Sequence, residues 1–230
     1  MGSTTQAIDM PKLTLYRGNG ACSLVPHALL RHFKFPFNAV LLKGGPDGPE
    51  AADGSFTNAQ YRSIHPRGYV PALTVDDEAI TEMPAILTFI ASLIPNEKLL
   101  GVTPLQRAKV LEWLVVLSGT LHGIGYGAVL RPNRFSDDTA HHDAIQAKGA
   151  RVVRECFQRI DDQLKGREFM VGQALTVVDF NIYVFARWAP KADIDVKTEY
   201  THYFEHLQRT EKLDGVREAV EAEGLELAFT

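Results

Sequence analysis

The run Gly20-Ala21-Cys22-Ser23 lies between a strand-forming stretch, Leu13-Thr14-Leu15-Tyr16, and apolar residues at helical spacing, Leu24, Val25, Ala28 and Leu29. A thiol or hydroxyl at such a junction meets the free N–H groups and the positive dipole end of a helix, which favour negative charge. That setting lowers a cysteine pKa and opens thiol chemistry. The alternative is packing, the commoner use of a lone cysteine. Val25 occupies the position three residues beyond Cys22, so dithiol exchange within the chain is excluded and only a small-molecule thiol could be its partner. Cys156, in an apolar helical stripe with Val152 and Val153, reads as packing.

Two further segments could carry chemistry. In His65-Pro66-Arg67-Gly68-Tyr69-Val70-Pro71 the last proline stands at a strand entrance. It is either an ordinary strand-start residue or a cis bond that turns the Val70 backbone outward toward an extended peptide. Thr81-Glu82-Met83-Pro84 is a helix start, where Glu82 either caps its helix or binds an ammonium group, capping being the commoner use. The eight histidines are scattered, and His141-His142 lacks the i, i+4 spacing of a zinc site, so no metal is expected. His122, inside a helical stretch beside Gly123, reads alone as packed or surface-exposed. Asp161-Asp162 and Glu221-Ala222-Glu223 read as solvated faces.

The elements that must position these residues follow from periodicity and breakers. After a disordered lead-in over 1–11 come a strand, a helix, a second strand at Asn38–Leu42 and a long Gly/Pro/Asp loop over Lys43–Asn58. A hairpin turning at Asp76-Asp77-Glu78 and a helix over Met83–Ile94 complete an α/β unit. Beyond the proline-bounded segment 95–104 the strand signal stops, and helices are predicted near 104–125, 143–165, 176–188, 200–210 and 213–223. Thr176-Val177-Val178-Asp179 is a helix-start pattern of the capping-box kind, with Leu175 and Phe180 placed as a hydrophobic staple; it reads as a folding element.

With 230 residues, 45% hydrophobic and 23% charged, the chain can bury a real core, and disorder or a disulfide-stapled scaffold is ruled out. A net charge of −4 argues against nucleic acid as partner. No uninterrupted apolar run reaches the roughly 18 residues of a membrane span, and the N-terminus lacks a secretion signal. Two lone cysteines fit a reduced, cytoplasmic setting.

Taken in order, Gly-Ala-Cys-Ser-Leu-Val-Pro-His, Pro-Arg-Gly-Tyr-Val-Pro-Ala-Leu, Ile-Thr-Glu, Leu-His, Leu-Thr-Val-Val-Asp-Phe and Ala-Arg-Trp-Ala resemble the glutathione S-transferase superfamily, nearest its bacterial beta-class branch. The resemblance spans about residues 12–225. It implies an α/β thioredoxin-like glutathione-binding domain (12–95), a linker (96–103) and an all-α helical substrate domain (104–230), assembled as a homodimer. It further implies that Tyr69 and Val70, ahead of a cis Pro71, hold the backbone of glutathione. Glu82 would hold its γ-glutamyl ammonium, with the Met83 N–H near the adjoining carboxylate, and Lys43 would hold the glycine carboxylate. Cys22 and Ser23 would meet the sulfur, with His122 reaching in from the helical domain. Met83 replaces a small Ser or Gly common in this branch, adding bulk at the site, and Gly123 replaces a frequent lysine.

Energetics then asks for a donor. Making glutathione mostly thiolate at pH 7 needs a shift of about two units, roughly 2.7 kcal/mol. An exposed helix N-terminus supplies about 0.3–1 kcal/mol, and a hydrogen bond to the ionised sulfur about 1.5–3 kcal/mol. Cys22 and Ser23 are preferred as donors, with Tyr16 third. The resulting expectation is a transferase adding glutathione to a hydrophobic electrophile. The alternatives are a glutathione-dependent thiol–disulfide or peroxide reductase drawing on Cys22, an isomerase working by reversible thiol addition, and a non-catalytic ligand carrier. Phe33, Tyr126, Tyr183 and Trp188 could line the apolar cleft, whose walls are expected around Leu117–Arg131 and the C-terminal tail.

Overall fold

The computed structural model describes residues 10–45 and 47–230, so the lead-in expected over 1–11 falls, except for its last two residues, outside the described residues. Strand β1 (Leu13–Arg17) is the centre of a five-stranded sheet ordered β3-β2-β1-β4-β5. Its neighbours are β2 (Phe37–Gly45), parallel, and β4 (Ala72–Val75), antiparallel. Antiparallel β3 (Gly48–Ala51) and β5 (Glu78–Thr81) form the edges. The β1–β2 crossover is helix α1 (Leu24–His32), which buries Leu24, Val25, Ala28, Leu29 and Leu30 against Leu13 and Leu15. Helix α3 (Met83–Leu93) adds Ile86, Leu87 and Ile90 to the same core. This is the thioredoxin-like unit that the resemblance implies.

The stretch 43–58 corrects the sequence reading. Instead of one long loop it holds the end of β2, the edge strand β3 and the start of a short helix, α2 (Asn58–Tyr61). Glycines and prolines mask the pairing, and Pro49 is tolerated because an edge strand needs only one hydrogen-bonded side.

The second half is helical. Helix α4 (Pro104–Val115) starts on a Thr103–Gln106 capping box and continues through a π-helical stretch, Val116–Tyr126, into α5 (Gly127–Leu130). It therefore runs five residues beyond its expected end. By length and composition this Pro104–Leu130 helix could cross a membrane, but half of its apolar window is buried inside the protein, as in a core helix. Helix α6 (His142–Leu164) packs on it closely: a Cβ at Gly149 would lie 2.7 Å from the Ala128 Cβ and 2.8 Å from the Gly125 carbonyl oxygen. Helices α7 (Val177–Arg187), α8 (Val196–Glu199), α9 (Thr201–Glu211) and α10 (Asp214–Ala222) follow.

Two acidic pairs read as solvated are partly otherwise. Asp161 accepts the Tyr203 N–H at 2.8 Å, at the start of α9. Glu223 is buried where the end of α10 meets the β1–α1 loop, accepting the Gly20 N–H at 2.7 Å and the His27 Nδ1 proton at 2.8 Å, with Arg17 at 3.8 Å. The tautomer follows from Arg31, whose Nε–H donates to His27 Nε2. The charge of Glu223 is thereby compensated by partners about two hundred residues away in sequence.

Candidate active site

A cleft of about 330 Å³ opens between the two halves. The sheet side contributes the β1–α1 loop (Asn19–Cys22), Pro49, Tyr69 and Val70; the helical side contributes His122, Tyr126, Leu130, Arg131, Arg134, Trp188 and Lys191. The Trp188 indole N–H donates to the Gly20 carbonyl at 2.9 Å and so fixes one wall to the other. A larger hollow of about 780 Å³ lies between α4 and α6, around Lys109, Glu112 and Arg159, but it holds none of the candidate site residues read from sequence. The smaller cleft is the candidate site, because Cys22, Tyr69, Val70 and His122 converge there.

Cys22 is in the cleft, but its chemistry differs from the sequence expectation. Its thiol is buried and donates to the Val70 carbonyl at 3.4 Å. Burial pushes its pKa up to about 12, outweighing the lowering effects of the Cys22 and Ser23 N–H groups and of Arg131. Loss of water overrides the helix terminus, and Cys22 stays protonated at pH 7.

Ser23 is fully buried and is absent from the cleft lining. Its hydroxyl donates to the Gly18 carbonyl at 3.2 Å and accepts the Gly18 N–H at 3.1 Å, closing the loop before α1. With its proton committed there, it is not the expected donor to a bound sulfur. Tyr16 is also outside the cleft, packed 5.5 Å from Tyr61 and 6.2 Å from Phe56. The same small cluster supports the site indirectly, since the Tyr61 hydroxyl donates to the Tyr69 carbonyl at 2.8 Å.

The Val70–Pro71 bond is cis, and among the described residues the Val70 N–H has no backbone or side-chain partner. Glu82 is exposed at the start of α3 and makes no capping bond, so capping is not its use. It holds a left-handed φ of 71°, a conformation costing a non-glycine residue about 1–3 kcal/mol. Its charge reaches both Cys22 and His65, whose ring burial holds below the usual imidazole pKa. Met83 is buried in the main core, so its bulk does not enter the cleft. Lys43 is exposed on β2 opposite Glu50 and does not line the cleft.

His122 packs 5.4 Å from Trp188 and 5.7 Å from Phe185. Burial lowers its pKa to about 4, assisted by Arg131 and Arg134, so the ring is neutral at pH 7. Of the aromatics weighed as lining, Tyr126 and Trp188 do line the cleft. Tyr183 instead donates to the buried Glu211 at 2.6 Å, and Phe33 packs at the edge of the core beside His32. Leu117 and the C-terminal tail also fall outside the lining. Sequence reading missed Arg134, Lys191, Asn19 and Pro49; the only signal for the first was a pair of arginines, Arg131 and Arg134, just past a helix end.

The family model for the C-terminal domain of glutathione S-transferases matches residues 129–214. A glutathione S-transferase of Xanthomonas campestris is 31% identical over 221 residues, covering 93% of this chain and all of the relative. A sphingomonad glutathione S-transferase solved with glutathione superposes with a TM-score of 0.79 at 30% identity, over 93% of this chain and all of that one. A beta-class enzyme of Sphingomonas chungbukensis gives 0.79 at 27% identity, with the same coverage. The chain belongs to the glutathione S-transferase superfamily. Its position there is in the beta-like branch, with a thioredoxin-like unit followed by an all-α one.

Proposed function

We propose that this enzyme is a glutathione transferase, adding the thiolate of glutathione to an electrophile in the cleft, in detoxification or a biosynthetic step. The observation that carries the reading is convergence: the unpaired Val70 N–H and the loop that leads into α1 lie on the sheet side of a cleft roofed by His122, Tyr126 and Trp188, and the exposed Glu82, outside the lining, acts on Cys22 through its charge. Val70 would pair with the cysteinyl backbone and Glu82 with the γ-glutamyl ammonium, while Lys43 would hold the glycine carboxylate. Because the Ser23 hydroxyl is committed to Gly18, the donors to the sulfur become the Cys22 and Ser23 N–H groups before α1, which here face the Cys22 thiol. In the reaction the sulfur bonds to the electrophilic carbon; either the bond to a leaving group breaks, the group departing with the electron pair while the thiol proton goes to solvent, or a π bond breaks and its pair takes the proton at the neighbouring carbon.

On this reading residues 12–95 bind glutathione, 96–103 link, and 104–230 shape the second site in the cytoplasm. A second copy of the chain would cover Leu111, Val115 and Ile124, which are exposed on the long helix. A sedimentation mass equal to one chain at micromolar concentration would remove that part.

The test is calorimetric titration of glutathione at pH 7. Micromolar to low-millimolar binding is expected, with Glu82→Ala weakening it about tenfold through loss of a charge-assisted contact. Absence of binding at several millimolar would overturn the reading in favour of a ligand carrier.

The reductase alternative runs through a thiolate at Cys22, which burial opposes. Cys22→Ala is therefore expected to leave conjugation within about threefold of the parent, since no step needs that thiolate. Loss of conjugation by two orders of magnitude in a folded variant would restore Cys22 to the chemistry.

A further inference from the structure

The helical wall of the cleft carries charge of one sign. Arg131, Arg134 and Lys191 line it, and among the described residues no aspartate or glutamate does. Arg67 also lies over Tyr69, so that two guanidinium groups meet one ring, at 5.0 and 4.7 Å from its centroid. Four arginines elsewhere do find carboxylates: Arg17 with Glu223, Arg154 with Glu199, Arg159 with Glu112 and Arg187 with Glu211. Among the described residues none of the four cations at the cleft is in an ion pair.

This happens in a chain with net charge −4, so the acidic excess lies away from the cleft mouth. Their proximity is felt electrostatically: Arg131 and Arg67 add to burial in lowering the Arg134 pKa. Like charges gathered without counter-charge are costly alone, and they focus a field that draws an anion into the cleft.

We propose that the second substrate is an anion, a carboxylate-bearing electrophile whose apolar body lies against Tyr126, Leu130 and Trp188 and whose carboxylate is held by Arg131, Arg134 and Lys191. The proposal rests on the transferase reading and narrows the hydrophobic electrophile expected from sequence. Arg131 and Arg134 offer forked donors that match a carboxylate, and the Tyr69 ring keeps Arg134 in place. Where the electrophile is an activated double bond, sulfur bonds to one carbon. The displaced π pair takes the thiol proton at the other, so no further reactant is consumed.

Two probes separate the possibilities: S-benzylglutathione and S-(4-carboxybenzyl)glutathione, titrated by calorimetry at pH 7 in about 20 mM and about 300 mM salt. The carboxylated probe is expected to bind about five- to tenfold more tightly at low salt, with the advantage shrinking as salt rises. Arg131→Ala and Lys191→Gln should each bring the ratio of the two affinities toward one, whereas Arg134→Lys keeps part of it. Equal affinities in the parent protein, with both probes bound, would overturn the anion proposal and leave the transferase reading standing. A loss in Arg131→Ala that falls equally on both probes and on glutathione would overturn it too, assigning the cations to the carboxylates of glutathione. If neither probe nor glutathione binds, both readings fall together.

Discussion

Asp179→Ala is expected to lower the unfolding free energy by about 3–5 kcal/mol, the range for stripping a buried charged network of one member. The Asp179 carboxylate has no solvent exposure and accepts four bonds: from the Met170 N–H, the Thr176 N–H and the Thr176 hydroxyl at 2.8 Å each, and from His206 Nε2 at 2.9 Å. One carboxylate thus caps α7, pins the preceding loop and orients a histidine on α9, whose Nδ1 meets the Thr210 hydroxyl at 3.2 Å. Alanine leaves those donors buried without partners, each unmade bond costing about 1–3 kcal/mol before relaxation. Asp179→Asn keeps an acceptor oxygen and should lose less. Because α7 delivers Trp188 and then Lys191 to the cleft, Asp179→Ala should also loosen the wall bonded to Gly20. Urea titration of the three proteins checks this. A loss below about 1 kcal/mol for the alanine variant would mean that water replaces the carboxylate, contrary to its burial.

That the capping pattern at 176–179 could be read from sequence, while much of the cleft could not, has a physical basis. Capping, strand alternation and helical apolar spacing are local, so β1, α1, the 72–81 hairpin, α3 and the long helices were legible from neighbouring residues. Strand β3 was not, because Gly44, Gly45, Gly48 and Pro49 signal a loop while their pairing partners lie across a hairpin. Charge state proved harder still. The position of Cys22 before a helix argued for a lowered pKa, but desolvation, which decides it, comes from the packed walls of the cleft. Glu223 looked solvated among neighbouring acids, although Gly20 and His27 hold it in the interior. Arg134 and Lys191 have no common local signal; the fold brings a post-helix turn and the segment after α7 to one mouth.

The second large effect concerns pH. Burial and the two nearby arginines hold the His122 pKa at about 4, against about 6.5 in an unfolded chain. Between those values the unfolded chain binds the proton and the folded one does not. Stability is therefore unaffected by this group above pH 7 and falls as the pH drops through 6.5, by about 2 kcal/mol at pH 4.5 after allowance for the partly exposed ring. Burial likewise holds His32 and His65 low, so the protein as a whole is expected to be acid-labile, and His122→Gln isolates one contribution. The stability difference between parent and variant should change by about 2 kcal/mol from pH 7 to pH 4.5, as measured by urea titration at each pH. Parallel curves would mean that the ring accepts a proton without penalty. An imidazole neutral across this range keeps one N–H to donate in the cleft, so it should give no ionisation near pH 6.5 in the rate profile. A carboxylate seated on Arg131 and Arg134 would cancel part of the repulsion that keeps the ring neutral. Its binding should then raise the His122 pKa, and by linkage carboxylated ligands should bind more tightly as the pH falls toward that pKa.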